Sequence, residues 1–465
     1  METLQRTANR GSISTGFDID NSLKFEPDNS EYLGKTPTSS GNRRTFTISM
    51  WIKRTEIGVD SYLLEAGDGD YNQSDRTLIK FDATDNFRFG GGSGYQRITN
   101  RVFRDTSAWY HIVMAVDTTD STAGNRLKLY VNGVQETSFS TSSDPDQNFQ
   151  YAFCKDDEHT VGYNHTDNGS YYPGYMSEVI LIDGQQLDPT SFGEFDEDTG
   201  IWKPIDVSGL SFGTNGFYLD FKDASNLGND ASGGTDFTLN NITSADQAVD
   251  SPTNSFATMT EAWAYASQLE VRWGGTLTST NTAAWSGAKS TIGVNKGKWY
   301  WEIRWNDTIS TYTGIQTQGE DNISASGSAA HARNTSLSIG AGSKYRTYIN
   351  GTDTLFSSQP SGNISTGEVT GFALDLDSGT KTLKLIRSGS VVQTYTLTDS
   401  LATEYVFPFC STYAQTLVWN LGGFFHYSLS SAETDANGLG LFEFSPTIGG
   451  VNYYALCTKN LAEYG

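Results

Sequence analysis

Between Trp109 and Val134 the chain reads WYHIVMAVDTTDSTAGNRLKLYVNGV, and few folds accommodate that stretch. Tyr110, Ile112, Met114 and Val116 alternate with Trp109, His111, Val113 and Ala115, the period of a strand whose two faces see different surroundings. A polar run, Asp117 to Asn125, then reverses the chain, and Leu127, Leu129 and Val131 form the buried face of a second strand. Asn132-Gly133 supplies the positive-φ pair that a tight hairpin needs before Val134 opens a third. The same plan returns as Phe372 to Asp377, a Ser378-Gly379 turn, Leu383 to Ile386, a Ser388-Gly389 turn, and Val391-Val392. One antiparallel scheme used twice predicts an all-β chain of two jelly-roll-type sandwiches.

The 465 residues exceed what one hydrophobic core serves, and no long stretch shows the 3.6-residue period of an amphipathic helix. Ten Trp, 24 Tyr, 25 Phe and 48 Gly fit strands joined by turns. The expected layout is an N-terminal arm over 1–16, a first sandwich over 17–200, a surface connector over 201–258, a second sandwich over 259–430 and a tail over 431–465. The connector rests on the scarcity of large apolar side chains from Asp223 to Ser255, where Asn, Asp, Ser and Gly dominate. In the second half, Trp299, Trp301, Ile303 and Trp305 alternate with Tyr300, Glu302 and Arg304, which predicts a strand with its tryptophans in the core.

A net charge of −23 repels phosphate backbones and anionic lipid, so neither nucleic acid nor a membrane surface is an expected partner. No apolar run is long enough to span a bilayer, and the polar N-terminus has no signal-peptide core. Cys154, Cys410 and Cys457 lie far apart, with neither a disulfide framework nor metal-ligand spacing, which fits folding in a reducing cytoplasm. Met1 to Thr15, locally basic through Arg6 and Arg10, reads as an arm that becomes ordered only against a partner.

Several segments, taken in order, resemble the laminin-G-like branch of the concanavalin A-like lectin/glucanase superfamily. They are SLKF, FTISMWIKR, LLEAG, SAWYHIVMAVDTT, LKLYVNGV and YYPGYMSEVILIDGQQLDPTSFGEF, and they span Phe17 to about Phe195. Gly213 to Phe221, GTNGFYLDF, and Asp250 to Phe256, DSPTNSF, are similar to structural proteins of tailed bacteriophages that carry this domain. Gly297 to Trp305, Gly371 to Asp377, Tyr405 to Phe409 and Val418 to Gly422 resemble a SPRY domain, also a concanavalin-like sandwich. The departure is Lys384 to Gly389, KLIRSG, where that family shows an aromatic before a Lys-Asn-Gly turn.

Laminin-G-like domains often bind calcium through loop carboxylates, for which Asp68 and Asp70 are the available residues, but too few oxygens converge there to assign a metal. Glucanases on this scaffold set their carboxylates as E-x-D-x-E on one strand. Glu194-Phe-Asp-Glu-Asp198 is the nearest approach; it ends in Asp and sits in a Gly-bounded loop. His111, His159, His165, His331 and His426 form no catalytic spacing, His111 reading as a sheet-face residue, and Gly90 to Gly94 lacks the helix and Lys of a phosphate cradle. No catalytic residue and no cofactor is expected. For recognition of a glycan or a protein the candidates are Tyr163, His165, Tyr171 and Tyr172, in the Gly/Asn-rich segment before Pro173.

These readings converge on a non-enzymatic virion protein of a tailed phage, assembled in the host cytoplasm. It would be a tail fibre or appendage touching a host glycan or protein, a homo-oligomer held by other virion proteins. A decorating protein of the capsid or portal-tail junction is the alternative, and a glycan hydrolase the third.

Overall fold

The computed structural model describes residues 16–67, 75–91, 95–166, 169–260, 269–280, 285–306, 311–318, 336–341, 346–349, 352–355 and 364–465. The expected arm over Met1 to Thr15, Asp68, Asp70 and His331 lie outside the described residues. Contacts divide the chain between Thr253 and Asn254 into two compact units. Among the described residues no helix is long and apolar enough to cross a membrane.

The first unit stacks two antiparallel sheets. One is centred on Thr45–Arg54, flanked by Tyr110–Asp117 and Gly174–Asp183; the other runs through Tyr95–Val102, Asn86–Gly91, Arg76–Phe81, Ser61–Gly67, His159–Val161 and Tyr32–Lys35. Ile48, Met50, Ile112, Met114 and Met176 from the first meet Leu33, Leu64, Ile79, Phe81, Phe87 and Phe89 from the second in one apolar core. The opening stretch folds as its pattern dictates. Ile112 pairs with Val131 and Met114 with Leu129, and Asn132 (φ 48°) and Gly133 (φ 77°) make the positive-φ turn before Val134. A Cβ on Gly133 would come within 2.2 Å of the Trp202 ring, so this glycine is required by contact as well as by φ.

Alternation was expected to leave one face of that strand on a different environment, and it does: Val113, with Ile180, Ile182, Phe192, Val207 and Tyr218, forms a second apolar cluster behind the sheet. Residues 201–258 differ from the expected connector. Phe217–Leu219 pairs with Gly174–Asp183, Gln247–Ala248 with Ser22–Phe25, and Thr238–Asn240 with Tyr32–Lys35, so each sheet gains a strand from this segment. Phe217, Leu219, Phe221, Leu227, Phe237 and Ile242 of this segment lie in the core. Its carboxylates are structural too: buried Asp230 pairs with Lys35 at 3.0 Å and accepts from the Tyr218 and Ser232 amides.

The second unit repeats the architecture with sheets centred on Lys298–Trp305 and on Val406–Tyr413. Trp299, Trp301, Ile303 and Trp305 lie in its core as the alternation predicts, Trp301 stacked on Phe372 with ring planes 5° apart. Ser388 (φ 48°) and Gly389 (φ 72°) form the expected turn between Thr382–Arg387 and Ser390–Thr396. The polar face of the tryptophan strand is also covered. Glu302, fully buried, accepts from the Tyr300 and Tyr427 hydroxyls, the Asn420 amide and the Glu443 and Phe444 backbone N–H groups. The stretch expected to be a tail is therefore built in: Tyr454–Ala455 pairs in parallel with Trp299 and Tyr300, and Leu456 and Leu461 join the core.

Candidate functional site

In the second sheet of the first unit, Leu33, Leu64 and Val161 point into the core, so their strand neighbours must face the other way. Gly34 pairs with Thr160 and Thr160 with Glu65, which sets Tyr32, Thr160 and Glu65 on one outward face. Tyr163 to Thr166 and Gly169 to Tyr171 lie across that face. Thr160 Oγ1 donates to the Tyr163 carbonyl at 2.9 Å, the Tyr62 amide to the Ser170 carbonyl at 3.1 Å, and Asn164 and Gly169 exchange both backbone bonds at 3.2 Å.

Two groups of side chains result. Tyr163 stacks on Tyr32 with centroids 4.4 Å apart and on Tyr171 at 4.7 Å. Tyr32 and Tyr171 are themselves 6.4 Å apart, so the three rings form a triangular cluster in which Tyr163 is buried while Tyr32 and Tyr171 keep partial exposure. Burial and the neighbouring Tyr171 hydroxyl push the Tyr163 phenol up to about 12, and the Tyr32 phenol is raised by burial and by Glu158. Beside the stack is a polar corner. Arg76 donates Nε to Glu65 Oε1 at 2.6 Å and Nη2 to Asn164 Oδ1 at 3.0 Å, and Thr166 Oγ1 donates to the same Glu65 oxygen at 2.6 Å. Among the described residues, Glu65 Oε2, fully buried, has no hydrogen-bond partner, nor has His165 Nδ1, 3.9 Å away.

Of the four residues chosen from sequence, the fold brings Tyr163 and Tyr171 into ring contact and places His165 beside Glu65 in the polar corner. Tyr172 goes elsewhere: it is fully buried, donates to the Lys53 carbonyl at 3.0 Å, and burial raises its phenol. The sequence reading missed Tyr32, Glu65 and Arg76, which reach the loop only through strand pairing across the sheet. A Tyr and a Glu each set one place from core leucines was the available signal.

The other described candidates are engaged by neighbouring side chains. His111 lies between Trp51 and Trp202, with centroids at 4.7 and 5.9 Å, and burial pushes its imidazole down to about 3. Trp202 Nε1 donates to Nδ1 at 2.9 Å, so the ring proton is on Nε2 and points to Ser49 Oγ at 2.8 Å. That tautomer cannot take a proton from Ser49. Glu194 and Asp196 both pair with Lys203 at 3.3 Å, and the Asp196 carboxylate also caps its own turn through Thr199. Among the described residues no group of three or more His, Cys, Asp or Glu could hold a metal ion.

Residues 28–186 match the family described as the concanavalin A-like lectin/glucanases superfamily. The chain is similar to the PSpry domain of TRIM65, with 15% identity over 35% of this chain and 88% of that one and a TM-score of 0.29. It is similar to the SPRY domain of human HERC1, at 12% identity over 32% and 91% with a TM-score of 0.25. A Bacteroides ovatus protein described as carbohydrate-binding shares 16% identity over 48% of this chain and 59% of its own, with a TM-score of 0.35. No curated protein matches the chain.

Proposed function

We propose that this chain is a non-enzymatic structural protein of a tailed-phage virion, a tail fibre or related appendage, that contacts the host surface through the first sandwich. The observation that carries the binding role is the three-tyrosine cluster on an outward sheet face, in which Tyr32 and Tyr171 are partly open. Aromatic rings held in place by a rigid sheet contribute contact area with little loss of side-chain entropy. The match of residues 28–186 to a superfamily of lectins and glucanases supports binding. The resemblance of GTNGFYLDF and DSPTNSF to phage structural proteins supports the virion. Homo-oligomerisation, attachment by Met1 to Thr15 and contact with other virion proteins belong to the same reading. The polar groups nearest to catalytic patterns are engaged by neighbours, Ser49–His111 through its tautomer and Glu194/Asp196 through Lys203, which supports the non-enzymatic reading.

The test labels the protein on intact particles for electron microscopy and measures adsorption of particles carrying Tyr32→Ala with Tyr171→Ala. Label on the tail and slowed adsorption are expected. Label on the capsid, with unchanged adsorption, would overturn the host-contact role in favour of a decorating one.

A further inference from the structure

In the sheet centred on Thr45–Arg54, Leu23, Ile52 and Met176 point into the core, so Lys24, Lys53 and Tyr175 face the other way. Lys24 pairs with Tyr175 and Tyr175 with Lys53, which sets the three in one row across the strands. Residues 247–253 return to this face and are fixed at both ends. Gln247–Ala248 pairs with Ser22–Phe25, and Thr253 Oγ1 accepts from the Ile19 amide and donates to its carbonyl. Between those anchors the Asp250 carbonyl takes the Ser22 hydroxyl at 2.6 Å. The Asp250 carboxylate is held at both oxygens: Lys53 Nζ is 2.7 Å from Oδ2, and Trp109 Nε1 donates to Oδ1 at 2.9 Å. The Lys53 side chain is 0% and that of Asp250 1% exposed, with the Tyr175 ring 6.0 Å from Nζ. Among the described lysine–carboxylate pairs, this one alone combines so short a contact with full burial of both side chains.

We infer that Lys53 and Asp250 are a modification site, where the folded chain joins its own two side chains as an intramolecular isopeptide bond. Withdrawing two charges from water is opposed by desolvation, which their mutual attraction offsets only in part. An amide carries neither charge, so its formation removes that penalty. Buried ionic groups relieve the same penalty by becoming neutral, and here a proton passes from Lys53 Nζ to Asp250 Oδ2 across 2.7 Å. The freed Nζ lone pair attacks Cγ. The C–N bond forms while the carbonyl π pair moves onto Oδ1, where the Trp109 N–H stabilises the developing charge. Oδ2 then leaves as water, carrying the first proton and a second from Nζ; the π pair returns, and one hydrogen stays on the amide nitrogen. No oxidant or co-reactant is consumed. Free amines and acids do not condense in water, but groups held in contact react as though present at on the order of 10⁵–10⁸ M. Burial of the pair also keeps water from reversing the bond.

Intact-mass spectrometry of the full chain, denatured after purification and again after prolonged warming of the folded protein, tests this. The wild type is expected to be one water lighter than its sequence requires. Tryptic digestion should show no cleavage after Lys53 and should yield a branched peptide joining Lys53 to Asp250. Lys53→Arg keeps the positive charge but offers no amine to acylate, and Lys53→Met offers neither, so both should have the full mass. Should either variant fail to fold, the branched peptide of the wild type decides by itself. A wild type of full mass at both times overturns the inference and leaves an ordinary ion pair. A water deficit that survives in both variants, or that maps to another pair of residues, overturns it by placing the dehydration elsewhere. The measurement uses neither particle nor host, so its failure leaves the adsorption test of host contact untouched.

Discussion

Replacing Trp301 with Ala tests the register of the second sandwich most directly. Trp301 is fully buried and stacked on Phe372 with centroids 5.5 Å apart. A buried Trp withdraws roughly 150–250 Å² from water, worth about 4–6 kcal/mol at about 25 cal/mol/Å², and Ala keeps a small part of that. Truncations of this kind cost about 3–5 kcal/mol once partial collapse of the cavity is included. For a domain of about 200 residues that is a fall in Tm of roughly 6–20 °C. Trp301→Phe separates packing from polarity. Among the described residues Trp301 Nε1 is buried without an acceptor, a penalty of about 1–3 kcal/mol that Phe removes while leaving a smaller void. The Phe variant should therefore stay within about 2 kcal/mol of wild type. Urea unfolding of the full chain, followed by far-UV circular dichroism and by tryptophan fluorescence, measures both. An unchanged midpoint for Trp301→Ala would refute the core-facing register, and equal losses for Ala and Phe would refute the role given to the unpaired N–H.

Three further outcomes are expected. Gly133→Ala, at φ 77° and against Trp202, should lower stability by more than about 2 kcal/mol, read as a fall in Tm; a loss below about 0.5 kcal/mol would remove the turn geometry argued here. Burial pushes the Glu178 carboxyl up to about 7 from an ordinary 4.5, so between those pH values the folded state keeps a proton that the unfolded chain has lost, and stability falls as pH rises through that window. Glu178→Gln cancels that slope, so wild type should gain relative to the variant on going from pH 8 to pH 5, by up to about 3 kcal/mol, and parallel Tm profiles would refute it. Glu194→Gln and Asp196→Asn should leave particle adsorption unchanged, and reducing-end assays on polysaccharide should show no release; release that vanishes in these variants would establish a hydrolase.

The strands were legible where one face is apolar and the residue type is strict. Trp299, Trp301, Ile303 and Trp305 declare their strand by alternation alone, and Asn132-Gly133 declares its turn. Residues 201–258 were not, because their apolar residues are diluted by Asp, Asn and Ser, whose side chains cap local turns, as Asp223 does with Ser225 and Asp230 with Ser232. Composition reads such a segment as solvated, whereas pairing with distant strands decides its structure. The site divides in the same way. Tyr163 and Tyr171 announced themselves in a Gly/Asn-rich loop, but Tyr32 and Glu65 join them only through the register that sets Gly34 and Glu65 on either side of Thr160. Tyr172, one residue on from Tyr171, faces the interior, an assignment that depends on how the loop re-enters the sheet.

The late strands of the first sandwich have a consequence for how it comes into being. Ser22 pairs with Ala248, and Thr253 Oγ1 accepts from the Ile19 amide and donates to its carbonyl, so the earliest strand waits for residues more than 220 positions downstream. At ribosomal speeds of about 5–20 residues per second, that delay is roughly 10–45 s. Throughout it, both sheets present bare edges to every other nascent copy nearby, the circumstance in which strands join the wrong neighbour. A fragment cut where the family match ends, at residue 186, would remain in that exposed condition permanently, and its insolubility would report the missing clasp rather than an unstable sandwich.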